Sequence, residues 1–470
     1  MFIYNNRYVP FANFLCFAVE SIGIFLSVFM AYILLSTKYE QSMISLIDIV
    51  YRGIAITAFA QFCLYMLDLY DLNIPFTTSE LFFSVTFTTG LFYLAIGIFI
   101  LAIRDFYIER NIFFLAGLLL FGFLVAWRLA FHSYLNTHTP AINVLILGSG
   151  EKACDIAKLV DSSRRLGFNL VGFLGKGTDH DQHNPGNPVH EDEPVGKPLT
   201  DDLKEAIERG KVNKIIVAQE DKRGYLPIRE LLDYKINGID VVEWPEFIEN
   251  LSGKIPVKSL PPSFFVFNGG FSVNYVSKKL SEIVSMAISF ISVLLMTPLF
   301  LVVSILIKWD SKGSILYLQR RVGEKGKEFN LIKFRTMVQD AESDSGAVWA
   351  SDGDPRITRI GWYLRKFRID ELPQFFNVLK GDMNLVGPRP ERPEFVRILE
   401  AEIPYYSIRH SIKPGITGWA QVKSTYSGTI EESRDKLEYD LFYMKNKSFK
   451  FDLLIIFKTL KTLMLARGAR

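Results

Sequence analysis

Cysteine is scarce in this chain: Cys16, Cys63 and Cys154 are far apart and odd in number. That excludes a disulfide framework and a cysteine-built zinc site, and it suits a reducing compartment. Charge of one sign is also lacking. The 53 basic and 50 acidic residues leave a formal net charge of +3, which argues against nucleic acid as the main partner. The N-terminus has no short basic region, short apolar core and small-residue cleavage site, so its first apolar segment is read as a retained anchor. Apolar residues are abundant, at 49% of 470. That abundance points to membrane segments, and the length calls for at least two domains.

Residues 1–135 read as a bundle of four membrane helices, with spans at about 11–36, 46–68, 81–103 and 111–134, each near the roughly 20 residues that cross a bilayer. Glu20, Asp48, Arg52 and Arg128 fall within these spans or at their ends. Charges in lipid are costly, so a pair inside the bundle or snorkelling to the surface is expected. From 141 to 250 strand and helix patterns alternate, which implies a parallel α/β sheet, here a Rossmann-like (CoA-binding-like) domain. Gly148, Gly150 and Ala153 make a GxGxxA turn after the first strand, like a dinucleotide fingerprint. The acid expected at the end of the second strand is absent from FLGKG, so a structural or regulatory relic outranks a retained nucleotide site. His180, His183 and His190 lie in a Gly-, Pro- and Asn-rich stretch that reads as a solvated loop, not a metal site.

Residues 251–277 form a linker. From Ile283 to Ile307 there is no charged residue, which is enough to span a membrane, yet Pro298 interrupts the second half. Lys278 and Lys279 precede this segment, and Lys308 and Lys312 follow it. Basic flanks on both sides favour a re-entrant hairpin over 279–308 that enters and leaves the cytoplasmic face, with a bent spanning helix as the alternative. At the C-terminus, Leu453, Ile456, Phe457, Leu460, Leu463 and Met464 recur at helical spacing, fitting either an interfacial helix or a packed amphipathic one.

The stretch 365–390, RKFRIDELPQFFNVLKGDMNLVGPRP, carries the most chemistry. Pro373 suits the first position of a short helix and Gly381 its end, which would set Asp370 and Glu371 at the positive end of a helix dipole. A rigid Gly-Pro-Arg-Pro turn then supplies Arg389 and Pro390. Upstream, Gln319, Arg320, Arg321, Lys333 and Arg335 form a basic cluster. FNLIKFRTM alternates apolar and polar residues, so Lys333 and Arg335 are expected on one strand face. A basic floor for phosphates, a carboxylate that can attack phosphorus and a neighbouring carboxylate for Mg²⁺ together describe phosphoryl chemistry. The adjacent hydrophobic segment implies a lipid substrate.

Residues from about Lys278 onward resemble the bacterial sugar transferase family, the polyprenyl-phosphate hexose-1-phosphate transferases. The matching motifs are Thr297-Pro298, QRRVG, FNLIKFRTM, LRKFRIDELPQFFNVLKGDMNLVGPRP, KPGITGWAQV and YDLFYMKN. The resemblance implies a membrane protein of α plus α/β class: a four-helix bundle, a Rossmann-like domain and a catalytic domain at 278–470 with a re-entrant helix. The architecture is similar to that of large members that prime exopolysaccharide or O-antigen synthesis. It implies Asp370 as nucleophile on a UDP-sugar, UDP-glucose or UDP-galactose first, with release of UMP. Undecaprenyl phosphate would accept the phosphosugar at the bacterial inner membrane, with the catalytic domain cytoplasmic. Glu371 matches the Mg²⁺-holding position, and Arg365, Arg389 and Lys333 match the phosphate site. Pro298 matches the break in the re-entrant helix. A homodimer is compatible with this plan. Two departures stand out: Phe367-Arg368 where many members carry Thr-Ser, and Ser281-Glu282 where an acid usually follows the basic pair. The competing expectation is a non-catalytic membrane scaffold or sensor of polysaccharide assembly. An oxidoreductase reading fails because Tyr234 and Lys235 are adjacent, not four apart.

Overall fold

Long apolar runs without proline build the first part of the chain. In the computed structural model, the described residues are 2–4, 7–9, 11–36, 46–66, 69–70, 78–102, 110–138, 142–163, 167–175, 199–218, 226–271, 275–339, 354–424 and 429–464. The loop with His180, His183 and His190 lies outside them. Two three-residue strands, β1 (Phe2–Tyr4) and β2 (Arg7–Val9), precede α1 (Phe11–Ser36), α2 (Leu46–Met66), α3 (Thr78–Ala102) and α4 (Arg110–His138). These helices fall where the four spans were expected. Among the described residues, α1, α2 and α4 are long and apolar enough to cross a membrane, and α3 holds a shorter apolar run, Phe82–Leu94. Ile24, Val28, Leu64, Leu120 and Leu124 fill the interior between helices. Phe14, Ile22, Phe87, Phe114 and Leu118 face outward, as helices in lipid permit.

One ion pair sits inside this bundle. Arg128 and Glu20 are 4% and 0% exposed, with Nε 2.5 Å from Oε1 and Nη2 donating to Oε2 at 3.0 Å. Nη1 donates to the Leu69 carbonyl, and the guanidinium lies 5.0 Å from the centre of the Tyr70 ring. These two of the four charges named in the spans satisfy each other, as the paired reading expected.

The same compact unit, which extends to Phe247, contains β3 (Ile142–Leu147), α5 (Glu151–Ser162), β4 (Phe168–Leu174), α6 (Leu199–Gly210), β5 (Lys214–Val217), α7 (Ile228–Ile236) and β6 (Asp240–Glu243). The four strands are parallel in the order β4-β3-β5-β6. Ile215, Ile216 and the end of β3 are buried on both faces, as in a sheet covered by helices. Gly148 and Gly150 hold φ of 146° and 87°, conformations that glycine adopts freely. Gly175 stands where the ribose-binding acid was sought. A Cβ there would lie 2.7 Å from the Gly148 carbonyl carbon, so backbone proximity excludes any side chain at that position.

The second unit begins at Ile248, within α8 (Trp244–Ser252), and continues through α9 (Pro262–Phe267) to α10 (Tyr275–Asp310). An antiparallel pair follows, β7 (Leu316–Val322) and β8 (Glu328–Phe334), with Tyr317 opposite Lys333. Next come α11 (Arg359–Lys366), a 3₁₀ turn (Ile369–Glu371), α12 (Gln374–Lys380) and β9 (Asn384–Val386), which pairs in parallel with β10 (Gly415–Thr417). Helices α13 (Pro393–Glu402), α14 (Trp419–Lys423), α15 (Ile430–Lys445) and α16 (Phe449–Met464) complete it.

Helix α10 has 36 residues and runs on through Pro298, so the expected break does not end the helix. At 1.5 Å per residue it is about 54 Å long, well over the roughly 30 Å of a hydrocarbon core. Both of its ends pack on the same unit. Near the start, Ser281 Oγ donates to Asp452 Oδ2 of α16 at 2.6 Å, and the Leu385 amide of β9 donates to Ser285 Oγ at 3.3 Å. Near the end, Val303 and Ile307 pack with Phe334 and Leu364, and Asp310 Oδ2 accepts the Ile360 amide at 2.9 Å. Between these anchors Phe290, Ile291, Leu294 and Leu295 are exposed. In α16, Phe451 and Ile455 are fully buried while Phe457 and Leu460 face outward. The helix therefore packs by one face, with an apolar edge left over.

The paired charges give a first prediction. Glu20→Ala should destabilise the bundle by about 3–5 kcal/mol, because it strands a buried guanidinium, whereas Glu20→Leu combined with Arg128→Met should recover most of that loss. Unfolding in detergent micelles, followed by circular dichroism, measures both; equal losses in the single and double variants would refute the pairing.

Candidate active site

The site is assembled from β8, the α11–α12 connection and the turn after β9. Thr358 caps α11 by accepting the Gly361 amide at 3.0 Å. The helix stops at Phe367, and Arg368 takes a left-handed conformation with φ 55°. For a residue with a Cβ that costs roughly 1–2 kcal/mol. The reversal starts the 3₁₀ turn that carries Asp370 and Glu371. Gly381 closes α12 with φ 88°, as its position in the sequence indicated. Asn377, fully buried, accepts the Ile332 amide at 3.0 Å and donates to the Asn330 carbonyl at 2.8 Å. These two bonds fix α12 to β8, and so fix the carboxylates relative to Lys333.

Glu371 is the hub. Arg389 Nη2 lies 2.5 Å from Glu371 Oε1, and Lys333 Nζ lies 3.3 Å from the same oxygen. Arg389 Nη1 is 3.5 Å from Oε2, and Arg368 Nη1 is 3.9 Å from it. Burial alone would raise the Glu371 pKa, but Arg389 and then Lys333 overrule it and hold the group well below the usual carboxylate range. Lys333 is lowered, chiefly by burial. Arg389 is raised, chiefly by the Glu371 charge.

Asp370 differs. It is 8% exposed, and no described residue forms an ion pair with it. Burial, then the charge of Glu371, pushes its carboxyl up to about 6, against the pull of Lys333, Arg365 and Arg389. The expected stabilisation by a helix dipole is therefore corrected. The dyad precedes a seven-residue helix, inside a 3₁₀ turn, and desolvation dominates Asp370.

The other expected residues divide. Arg365 donates from Nε to Thr336 Oγ1 at 3.0 Å and acts on Asp370 through its charge. Arg321 donates from Nη2 to Gln319 Oε1 at 2.6 Å and from Nη1 to the Pro390 carbonyl at 3.0 Å. Gln319, Arg321 and Pro390 thus meet at the turn behind Arg389. Arg335 does not join the cluster. Strand β8 ends at Phe334, so the alternation stops, and the Arg335 guanidinium donates to the Ser311 and Lys312 carbonyls at 2.8 and 2.7 Å, past the end of α10. Pro298 lies within α10, and Gly148 and Gly150 belong to the other unit. Sequence reading missed Asn377 and the contribution of Arg368. Arg368 stands out there only as a departure from Thr-Ser, and nothing local marks Asn377.

Among the described residues no group of three His, Cys, Asp or Glu side chains could hold a metal. The dyad offers two hard oxygen donors. That fits Mg²⁺, which takes one or two carboxylates and completes its shell with water and substrate phosphate. Such an ion would compete with Arg389 and Lys333 for Glu371.

A stability prediction follows from Asp370. Its folded pKa lies above the ordinary 3.8, so ionisation opposes folding increasingly as pH rises from about 4 through 6. Measured in EDTA, Asp370→Asn should be more stable than the parent by on the order of 2–3 kcal/mol at pH 8, with the gap closing near pH 4. Melting curves at both pH values test this; a gap that does not change with pH contradicts it.

Residues 275–466 match the bacterial sugar transferase family. Over 180 residues the chain is 51% identical to a UDP-N-acetylgalactosamine-undecaprenyl-phosphate N-acetylgalactosaminephosphotransferase of Aeromonas hydrophila, covering 38% of this chain and 42% of that protein. Over 356 residues it is 31% identical to an undecaprenyl-phosphate glucose phosphotransferase of Komagataeibacter xylinus, covering 72% and 62%. Against a UDP-glucose:undecaprenyl-phosphate glucose-1-phosphate transferase of Xanthomonas campestris pv. campestris it is 32% identical over 356 residues, covering 72% and 70%. The chain thus spans less than two thirds of the first two relatives and slightly more of the third. A likeness that extends this far beyond the transferase segment shows that the chain belongs to the bacterial sugar transferase family.

Proposed function

We propose that this chain moves a sugar-1-phosphate from a UDP-sugar to undecaprenyl phosphate and releases UMP, the first step in building an exopolysaccharide or O-antigen. The observation that carries this reading is the asymmetry of the dyad: Glu371 is locked by cations, whereas Asp370 is buried, has no ion-pair partner among the described residues and is raised to about 6. A carboxylate outside an ion pair can attack phosphorus, and at neutral pH it is largely ionised. The relatives' names, which pair undecaprenyl phosphate with glucose or N-acetylgalactosamine phosphate, fit the same chemistry.

In the first step an Asp370 oxygen attacks the sugar-bearing phosphorus. The bond from that phosphorus to the bridging oxygen breaks, and the bridging oxygen leaves with UMP. In the second step a phosphate oxygen of the polyprenyl carrier attacks the same phosphorus and expels Asp370. Arg389, Lys333 and Arg365 offset negative charge on the diphosphate during both displacements. Glu371 would hold Mg²⁺, which neutralises phosphate charge when bound. The acceptor is a lipid, and the surroundings suit one: Trp362 and Tyr363 of α11, and Phe367 just after it, are exposed, and Trp and Tyr are enriched at membrane interfaces. The pinned ends of α10 support a re-entrant arrangement, since a straight spanning helix would carry its two ends to opposite sides. A soluble nucleotide-sugar donor is the ground for assigning this domain to the cytoplasmic face of the inner membrane.

Two experiments test these claims. Membranes given a panel of radiolabelled UDP-sugars, including UDP-glucose, UDP-galactose and UDP-N-acetylgalactosamine, should release UMP and label the protein. Asp370→Asn should abolish both signals; full turnover by that variant would falsify the covalent route. For the membrane arrangement, single cysteines placed at Lys278 and Lys312 in a chain lacking Cys16, Cys63 and Cys154 should react with an impermeant maleimide from the same side of sealed vesicles. Labelling from opposite sides means that α10 spans the bilayer.

A further inference from the structure

The Gly387–Pro390 turn contains two prolines, which have no N–H to donate. The turn is fixed instead through its carbonyl oxygens. Four consecutive carbonyls accept hydrogen bonds from four donors: Pro388 from the Gly415 amide at 3.0 Å, Arg389 from Arg409 Nη2 at 2.9 Å, Pro390 from Arg321 Nη1 at 3.0 Å, and Glu391 from the Val322 amide at 2.9 Å. Of the two side chains involved, Arg409 is the more deeply placed, 6% exposed. Its Nη2 also bonds Asp440 Oδ2 at 2.8 Å, and Asp440 is 2% exposed. Arg409 Nη1 donates to the Tyr406 hydroxyl, and the guanidinium packs 5.0 Å from the centre of that ring.

We propose that Arg409, oriented by Asp440, is a positioning residue for the transfer step and acts through the Arg389 carbonyl oxygen. The proposal rests on the transfer reading above. Two observations carry it. First, Arg409 Nη2 donates to the Arg389 carbonyl at 2.9 Å, so it grips the backbone of the same residue whose guanidinium meets Glu371. Second, a buried ion pair is a poor way to stabilise a fold, since apolar side chains of similar volume do as well or better. A buried guanidinium that divides one nitrogen between a carboxylate and a main-chain carbonyl is better explained by the geometry it imposes. Arg321, itself held by Gln319 Oε1, grips the next carbonyl, so the turn is held by side chains at adjacent peptide units.

The test is a double-variant cycle with UMP release as the readout. Arg409→Lys keeps the charge but cannot bridge the carbonyl and Asp440 in the same geometry. It should lower kcat about 10-fold or more with its melting temperature little changed, and Arg389→Lys should cost more still. If Arg409 acts through Arg389, the double variant should be within about 2- to 3-fold of Arg389→Lys alone. Losses that multiply overturn the proposal. Should Arg409→Lys fail to fold, Arg409→Gln, which retains one donor for the carbonyl, replaces it in the cycle with the same criterion. A second arm does not depend on turnover: in a cryo-EM structure of the Arg409 variant, Arg389 should have left Glu371, and an unchanged contact refutes the brace. A parent protein that releases no UMP from any UDP-sugar defeats the transfer reading, and the structural arm then decides the brace by itself.

Discussion

Two neighbouring carboxylates share one buried turn, and among the described residues only Glu371 of the two has ion-pair partners. This inequality governs the second unit. Like charges on adjacent residues in a desolvated place cannot both be comfortable. Glu371 escapes because Arg389 and Lys333 converge on the same oxygen. Asp370 receives their influence only at longer range, and bears the cost of burial and of Glu371 beside it. Burial and a single pair of cations thus move the pKa values of two chemically similar side chains in opposite directions.

Much of the remaining structure keeps that inequality in place. Arg368 accepts an unfavourable backbone conformation so that the dyad can wind tightly after α11. Asn377 ties α12 to β8 and so sets the distance to Lys333. Behind Arg389, carbonyl clamps substitute for the amide donors that proline removes. Arg368 also reaches Glu371 directly, at 3.9 Å, whereas Asn377 and the carbonyl clamps act through Lys333 and Arg389.

The sequence made some of this legible and hid the rest for physical reasons. Apolar runs locate α1 to α4 because lipid imposes a length and a polarity on any helix that enters it. The alternating pattern of the α/β segment yields its parallel strands because burial on both faces demands continuous Val, Ile and Leu. The dyad, Lys333 and Arg389 stand out as dense local charge. Arg335 was misplaced because periodicity does not reveal where a strand ends, and one residue past that end the side chain answers to helix α10 instead. The Asp370 environment was misjudged because a short helix following a proline suggests a dipole, while desolvation arises from distant segments. Arg409 and Asp440 could not be paired from spacing: 31 residues separate them, and their partner is a main-chain carbonyl, which carries no signature in side-chain identity. Glu20 and Arg128, 108 residues apart, were visible only as two charges needing partners.

Helix α10 is fastened at both extremities, with Phe290, Ile291, Leu294 and Leu295 bare between them. Lifting the catalytic unit into water would wet that whole bare stretch at once, a cost of about 25 cal/mol for every Å² exposed. Under the proposed function, a unit rooted this way would meet its lipid carrier by a search in two dimensions, limited by lateral mobility, while the soluble nucleotide would arrive from three.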